Sequence, residues 1–305
     1  MKKTAKTGII VLLSIIFVLD ALGCYAALTF FSAKENVEAK AIVTKNKDFS
    51  GDDQTSDQEV NVLLIGTDTR DDDGDGGRSD TLMVAHYDSK TKQPKLISIM
   101  RDSFVDIPGY GLGKINSAYA YGGAKLTKKV LNESFDLPIN YYAIIDFSQF
   151  SELVDELYPD GVKIDVEKDI NLDGVDIYQG EQTLDGDSLL QYARFRMDEE
   201  GDFGRVRRQQ QVMNALASQS ANLIPILKLP KVAGEAVGKL DTNMPTDLII
   251  DLAKDFLTGS VKDLETLSVP VEGSWDFNDN TSAGSVIEID EAANAQAIKE
   301  FLEKE

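Results

Sequence analysis

From residue 60 onward the chain alternates between two hydrophobic periods. Runs at 61–65 (NVLLI), 81–87 (TLMVAHY), 95–99, 141–145 and 162–166 have the length and β-branched content of strands. Between and after them, apolar residues recur at helical spacing over 117–133, 147–157, 187–193, 206–221, 246–257 and 291–304. This alternation predicts an α/β fold, a layered α-β-α domain with a central mixed sheet and helices on both faces. No repeat, low-complexity tract or Pro/Gly-rich linker divides residues 60–305, which read as one domain.

The first part of the chain has a different texture. Residues 7–31 are apolar apart from Asp20 and a few small residues, and they follow Lys2, Lys3 and Lys6. That length spans a bilayer, and the lysines favour a cytoplasmic N-terminus with the main domain outside. Residues 1–31 thus read as a cytoplasmic tip and one transmembrane helix. A cleaved signal peptide is the rival reading. A lipoprotein site at Cys24 fits less well, because Ala21, Leu22 and Gly23 precede it without the usual aliphatic residue. Residues 32–59 are polar and read as a stalk, helical at 33–41 and loose by 50–58.

Composition narrows the chemistry. A formal net charge of −21 argues against sequence-independent binding of nucleic acid, which needs a basic surface. Cys24 and His86 are the sole cysteine and histidine, so zinc knuckles, thiol catalysis and serine–histidine triads elsewhere are excluded. His86 itself falls in a strand run and is expected to be a packed strand histidine. Carboxylates, arginines, hydroxyls and a metal remain.

Three constellations carry such groups. The acidic loop 66–80 (GTDTRDDDGDGGRSD) leaves a strand end, where ligands gather in open α/β sheets. Folding it back would bring Asp68 and Asp80 around a hard cation; a solvated acidic turn is the plainer alternative. Two stretches imitate the opening of a calcium loop, one from Asp71 and one from Asp169, but Leu82 and Gly180 stand where the closing glutamate belongs. The second of these is expected to be a solvated turn. Arg101 and Asp102 follow the strand 95–99 and can reach the same rim, or simply pair as a loop salt bridge. The densest group is 192–211 (YARFRMDEEGDFGRVRRQQQ), with five arginines in an acidic chain. Arg194 and Arg196 share a face if the chain is extended there. Arg205 and Gln209 share a face one helical turn apart, at a helix start suited to anions, and Arg207 points elsewhere.

The ordered motifs GTDTR (66–70), RSDTLMV (78–84), SIMRD (98–102), VDIPGYG and GKINSAYAYGG within 105–123, LDGDSLLQYARFR (184–196) and GDFGRVRRQQ (201–210) resemble those of the LytR–CpsA–Psr family of cell-wall ligases. The resemblance is dense over 60–221 and looser in the tail. It implies a membrane-anchored, extracellular phosphotransferase of a Gram-positive envelope. Such an enzyme moves a phosphoglycosyl polymer, of teichoic-acid or capsule type, from a polyprenyl-pyrophosphate carrier to a peptidoglycan hydroxyl. By the same resemblance Asp68 and Asp80 would hold Mg²⁺, with Mn²⁺ as the alternative. Arg101, Arg194, Arg196, Arg205 and Gln209 would grip the pyrophosphate, Asp202 would orient the arginines, and Arg78 and Lys114 would line the rim. The general base is left open between Asp80 and Asp102. Thr in GTDTR in place of the common Ser, and Met100 in place of proline, are departures that remove no charge. A non-catalytic envelope regulator that binds polyprenyl-phosphate lipids is the competing class, and a pyrophosphatase a third.

Overall fold

The computed structural model describes residues 46, 48–52, 59–67, 79–220, 234 and 238–304. The apolar stretch 7–31, most of the polar stretch after it, and the loop 68–78 with Asp68 and Arg78 lie outside these residues. Among the described residues no helix is long and apolar enough to cross a membrane.

Numbered along the chain, the central sheet contains β1 (Glu59–Thr67), β2 (Ser79–Asp88), β3 (Gln93–Ile99), β6 (Tyr141–Asp146), β11 (Asp241–Thr242) and β12 (Glu265–Val269), in the order β11-β6-β1-β2-β3-β12. It is mixed: β1 runs antiparallel to β2 and parallel to β6, and β3 runs antiparallel to β2 and parallel to β12. The two-residue period of a strand divides its side chains between two cores. Leu63, Ile65, Leu82, Val84, Ile97 and Ile99 pack towards helix α1 (Ser117–Phe135) and helix α6 (Glu291–Glu303). Val62, Leu64, Tyr87 and Tyr141 pack with Leu248 and Leu252 of α5 (Thr246–Leu257). Helices therefore cover both faces, as the alternating pattern predicts. His86 is buried on β2 with Nδ1 2.8 Å from Asn61 Oδ1 on β1, and burial holds its pKa below the ordinary value. It is a packed strand histidine.

A second group of elements extends from this sheet. Helices α2 (Phe147–Leu157), α3 (Gly186–Arg194) and α4 (Gly201–Gln219) enclose a separate core with the paired strands β7 (Val162–Val166) and β10 (Gly180–Leu184). The hairpin β8 (Ile170–Leu172) and β9 (Val175–Ile177) joins that core. Its turn places Asp173 at φ 52° and Gly174 at φ 82°, as a tight two-residue hairpin requires. The calcium-like stretch that begins at Asp169 is thus a hairpin, not merely a solvated turn. A four-stranded sheet, β13-β14-β4-β5, is built from β4 (Ser103–Ile107), β5 (Gly111–Lys114), β13 (Trp275–Thr281) and β14 (Gly284–Ile289). These strands are short, glycine-bearing or polar on one side, so no hydrophobic run marks them in the sequence. Helix α4 begins earlier than the expected residue 206, because Gly201 and Gly204 weaken the helical signal of its first turn.

Part of the polar stretch read as a stalk is docked on the domain. Helix α1 breaks at Gly122–Gly123, and the Asn46 side chain accepts from the Ala124 N–H just after the break at 2.9 Å. Asn46 also donates to Asp241, and Phe49 packs edge-on against Tyr142 with ring centroids 4.9 Å apart. The Asp52 carboxylate accepts from Lys128, Asn132 and the Ile139 N–H. Burial pushes the Asp52 pKa up, but these donors together outweigh it and hold the group below its ordinary 3.8. Its contribution to stability is therefore full above that value and lost as pH falls through the lower folded value. Hydrogen bonds to a charged group contribute about 1.5–3 kcal/mol. Asp52→Ala is accordingly expected to lower Tm by about 5 °C at pH 7 for a domain of this size. In thermal melts the difference from the parent should shrink as pH is taken below 3.8; a pH-independent difference would contradict the assignment.

Candidate active site

The C-terminal half of β3 and the start of β2 meet helix α4, through Gln210 on Ser98 and Gln209 on Thr81, and part of the charged motif set converges there. A cavity of about 210 Å³ is lined by Asp80, Arg101, Phe147, Arg194, Arg196, Arg205 and Gln209. Each wall has a separate origin. Asp80 stands near the start of β2, and Arg101 follows β3 after Met100. Phe147 opens α2, whose N-terminus is fixed by a reciprocal pair of bonds between Asp146 and Gln149. Arg194 ends α3, and Arg196 follows two residues later, exposed at the cavity wall. Helix rather than extended chain at residue 194 means the two arginines do not share a strand face, yet both reach the cavity. Arg205 and Gln209 point into it from successive turns of α4, as their four-residue spacing predicts.

Carboxylates hold the guanidinium groups apart. Arg101 Nη1 donates to Asp80 Oδ1 at 2.5 Å. Asp202 Oδ1 lies 2.7 Å from Arg205 Nη2 and 3.6 Å from Arg101 Nε, so one carboxylate spans two arginines. Neither Asp202 oxygen, nor Nε of Arg101 or Arg205, makes a well-directed hydrogen bond among the described residues although all are buried. The ion pairs are close but loosely aimed, which leaves donors ready for an anion. Arg205 is only 5% exposed. Burial lowers its pKa, as do Arg101 and Arg196 nearby, while Asp202 and Asp80 oppose the shift. An arginine stays protonated regardless, so the burial of its charge is a standing cost that an anionic ligand would relieve.

Arg194 lies over the Phe147 ring at 5.2 Å and donates to Gln191 and to Asp173 of the hairpin turn. The Gln209 amide donates to the Thr81 hydroxyl at 2.9 Å, tying α4 to β2. Asp102 and Lys114 form their own pair at 2.8 Å, with Asp102 3.7 Å from Arg101 Nε. They sit behind Arg101 rather than on the cavity wall. Asp68 and Arg78 lie outside the described residues.

Of the five clustered arginines, two serve elsewhere. Arg207 is exposed and pairs with Glu167 and Glu200. Arg208 is fully buried between Glu167, Asp198 and the Phe195 carbonyl. Glu167, Asp198 and Glu200 lie close enough to share a cation, but Lys168, Arg207 and Arg208 already neutralise them. Sequence reading missed the structural role of Arg208 and the place of Phe147. The first has a local signal in Gly204, where a Cβ would stand 2.9 Å from the Arg208 guanidinium. The second has none.

Hard carboxylate oxygens are the donors that Mg²⁺ accepts. Asp80 reaches the cavity wall with Oδ1 committed to Arg101, so its second oxygen is the donor it could offer to such a cation.

The LytR_cpsA_psr family model matches residues 25–300. The chain belongs to the LytR–CpsA–Psr family. Among family members, regulatory protein MsrR of Staphylococcus aureus is 43% identical over 92% of this chain and 85% of its own. Polyisoprenyl-teichoic acid–peptidoglycan teichoic acid transferase TagU of Bacillus licheniformis is 34% identical over 85% of this chain and 82% of its own. In solved structures, the family protein YwtF (TagT) with bound octaprenyl pyrophosphate lipid aligns with a TM-score of 0.59. It is 27% identical and covers 82% of this chain and 91% of its own. The mixed α/β architecture is thus that of the LytR–CpsA–Psr proteins.

Proposed function

We propose that the protein transfers a phosphoglycosyl polymer from a polyprenyl-pyrophosphate carrier to a hydroxyl of peptidoglycan. One observation carries this reading: four arginines and a glutamine from three separate segments converge with Asp80 on a single cavity. A pyrophosphate is the dianionic, fork-accepting ligand such a cavity suits. The names of TagU, a polyisoprenyl-teichoic acid transferase, and of TagT with its bound octaprenyl pyrophosphate support the same ligand class.

The transfer balances simply. The acceptor oxygen bonds to the phosphorus that carries the sugar, the bond from that phosphorus to the bridging oxygen breaks, and polyprenyl phosphate leaves. Phosphoryl transfer of this kind depends on positioning and charge neutralisation more than on covalent help. Arg205 and Arg101, held by Asp202 and Asp80, would orient the pyrophosphate and stabilise the leaving phosphate. Arg194, braced on Phe147, and Arg196 would hold its outer oxygens. Asp80 on the cavity wall would receive the hydroxyl proton, with Asp102, paired to Lys114 behind Arg101, as the alternative. Both are ion-paired, Asp80 with Arg101 and Asp102 with Lys114. Asp80, with Asp68 across the loop, would hold Mg²⁺ or Mn²⁺, which when bound neutralises pyrophosphate charge. Residues 7–31 would anchor the enzyme in the membrane with the domain on the outer side.

The deciding experiment incubates the full chain with a labelled lipid-pyrophosphate oligosaccharide, peptidoglycan and Mg²⁺. Label in peptidoglycan is the expected result. Donor binding with no transfer to any acceptor would favour a regulatory role, as the name of MsrR has it; release of label to water would make the protein a pyrophosphatase. Asp80→Asn, which keeps the arginines, is expected to reduce transfer at least tenfold and to raise the Mg²⁺ concentration needed for half-maximal rate. An unchanged Mg²⁺ titration would remove Asp80 from the metal site.

A further inference from the structure

Phe203 follows Asp202 in the first turn of α4, and Met100 precedes Arg101 at the end of β3. Phe203 belongs to an aromatic cluster, and Met100 to the buried core beneath it. The Phe203 ring centroid lies 4.6 Å from that of Trp275 and 6.3 Å from that of Phe277, and Trp275 and Phe277 meet edge to face at 5.0 Å. Buried Met100, Val206 and Ile287 support the cluster from below. Phe277 is 64% exposed on β13, the edge strand of its sheet. A single exposed phenylalanine needs no explanation, but three rings in mutual contact on a packed base form a rigid apolar surface of the kind that binds a partner.

Charge selects the occupant. Asp276 and Asp279 flank Phe277 on the strand and are exposed, in a chain with a net charge of −21. A phosphate-rich polymer would be repelled at such a surface. A glycan strand offers neutral hydroxyls and apolar C–H faces that lie flat on indole and phenyl rings. The backbone continuity of Phe203 with Asp202 and of Met100 with Arg101 places this surface next to the groups that grip the donor. We infer that Phe203, Trp275 and Phe277 form the acceptor subsite, on which a sugar ring of the peptidoglycan glycan strand stacks while its hydroxyl reaches the donor phosphorus. The inference rests on the transferase reading above.

Trp275 is the only tryptophan in the chain, so its emission reports on this surface alone. The full chain in detergent is titrated with a soluble peptidoglycan tetrasaccharide and, separately, with lipid-free teichoic-acid fragments. The tetrasaccharide is expected to change the emission saturably and the polyanion to leave it unchanged. Phe277→Ala removes an exposed ring and should leave Tm within about 2 °C of the parent. It is expected to weaken tetrasaccharide binding and raise the acceptor KM at least tenfold, with donor Kd within twofold, and Phe277→Tyr should restore both. The inference is overturned by a flat tetrasaccharide titration, by a stronger response to the polyanion, or by a Phe277→Ala effect on donor rather than acceptor. Failure of the parent to transfer any glycan would refute the transferase reading instead, with the tetrasaccharide titration still deciding whether this surface binds a glycan.

Discussion

Replacing Arg205 with alanine is expected to reduce glycan transfer by ten- to a hundredfold, while Arg207→Ala, two residues away, stays within threefold of the parent. Arg205 is 5% exposed, held 2.7 Å from Asp202, and aimed into the cavity. A charge-assisted contact to phosphate contributes on the order of 1.5–3 kcal/mol, and about 1.4 kcal/mol is a factor of ten. Arg207 spends its donors on Glu167 and Glu200 at the surface, where an ion pair contributes about 0–1 kcal/mol. Lysine keeps the charge of Arg205 but not its two-pronged geometry, so Arg205→Lys should remain impaired. The measurement is transfer of labelled glycan from a lipid-pyrophosphate donor, with donor binding on the same variants. Equal behaviour of Arg205→Ala and Arg207→Ala would show that the cavity is not the reaction centre.

Arg208→Ala is expected to act on a different quantity, lowering Tm by roughly 6–12 °C. The side chain is wholly buried, donating from Nη1 to Glu167 at 2.5 Å and Asp198 at 3.0 Å and from Nη2 to the Phe195 carbonyl at 2.7 Å. Removing one partner of a buried ion pair typically costs about 3–5 kcal/mol. The lower end applies, because Arg207 and Lys168 still reach the abandoned carboxylates. Each kcal/mol is about 2–4 °C in a domain of this size. A melting curve within 2 °C of the parent would mean that the buried guanidinium is not a structural tie. Three arginines within four residues thus separate into function, surface and stability.

That separation shows where sequence reading stops. Burial direction along α4 follows from helical spacing, so Arg205 with Gln209 could be paired and Arg207 set aside before any coordinates. What Arg208 faces depends on Glu167, 41 residues back, as well as on Asp198, ten residues back, and the only local hint is the small residue Gly204 against its guanidinium. The central strands were legible because both faces are buried and each therefore reads as an apolar run. The strands β13, β14, β4 and β5 were not, since their exposed sides are polar and β5 holds two glycines in GLGK. The aromatic surface escaped for the same reason, its rings coming from α4 and from an edge strand far along the chain. Lys114 and Asp102 were expected at the rim, whereas the coordinates pair them with each other behind Arg101, off the cavity wall.

The docking of Asn46 onto Ala124 and Asp241 also bounds how far the domain would reach from the proposed anchor. With that residue fixed to the domain, at most residues 32–45 would separate the folded body from the anchor proposed at 7–31. Fully extended, such a length covers at most about 50 Å, and as a helix less than half of that. On the proposed transferase reading, a cavity held that near the bilayer would work only in the innermost layer of wall, where newly made glycan and lipid-borne polymer are both within its radius. Attachment would then be confined to young wall, and older material would carry its polymer outward as growth displaces it.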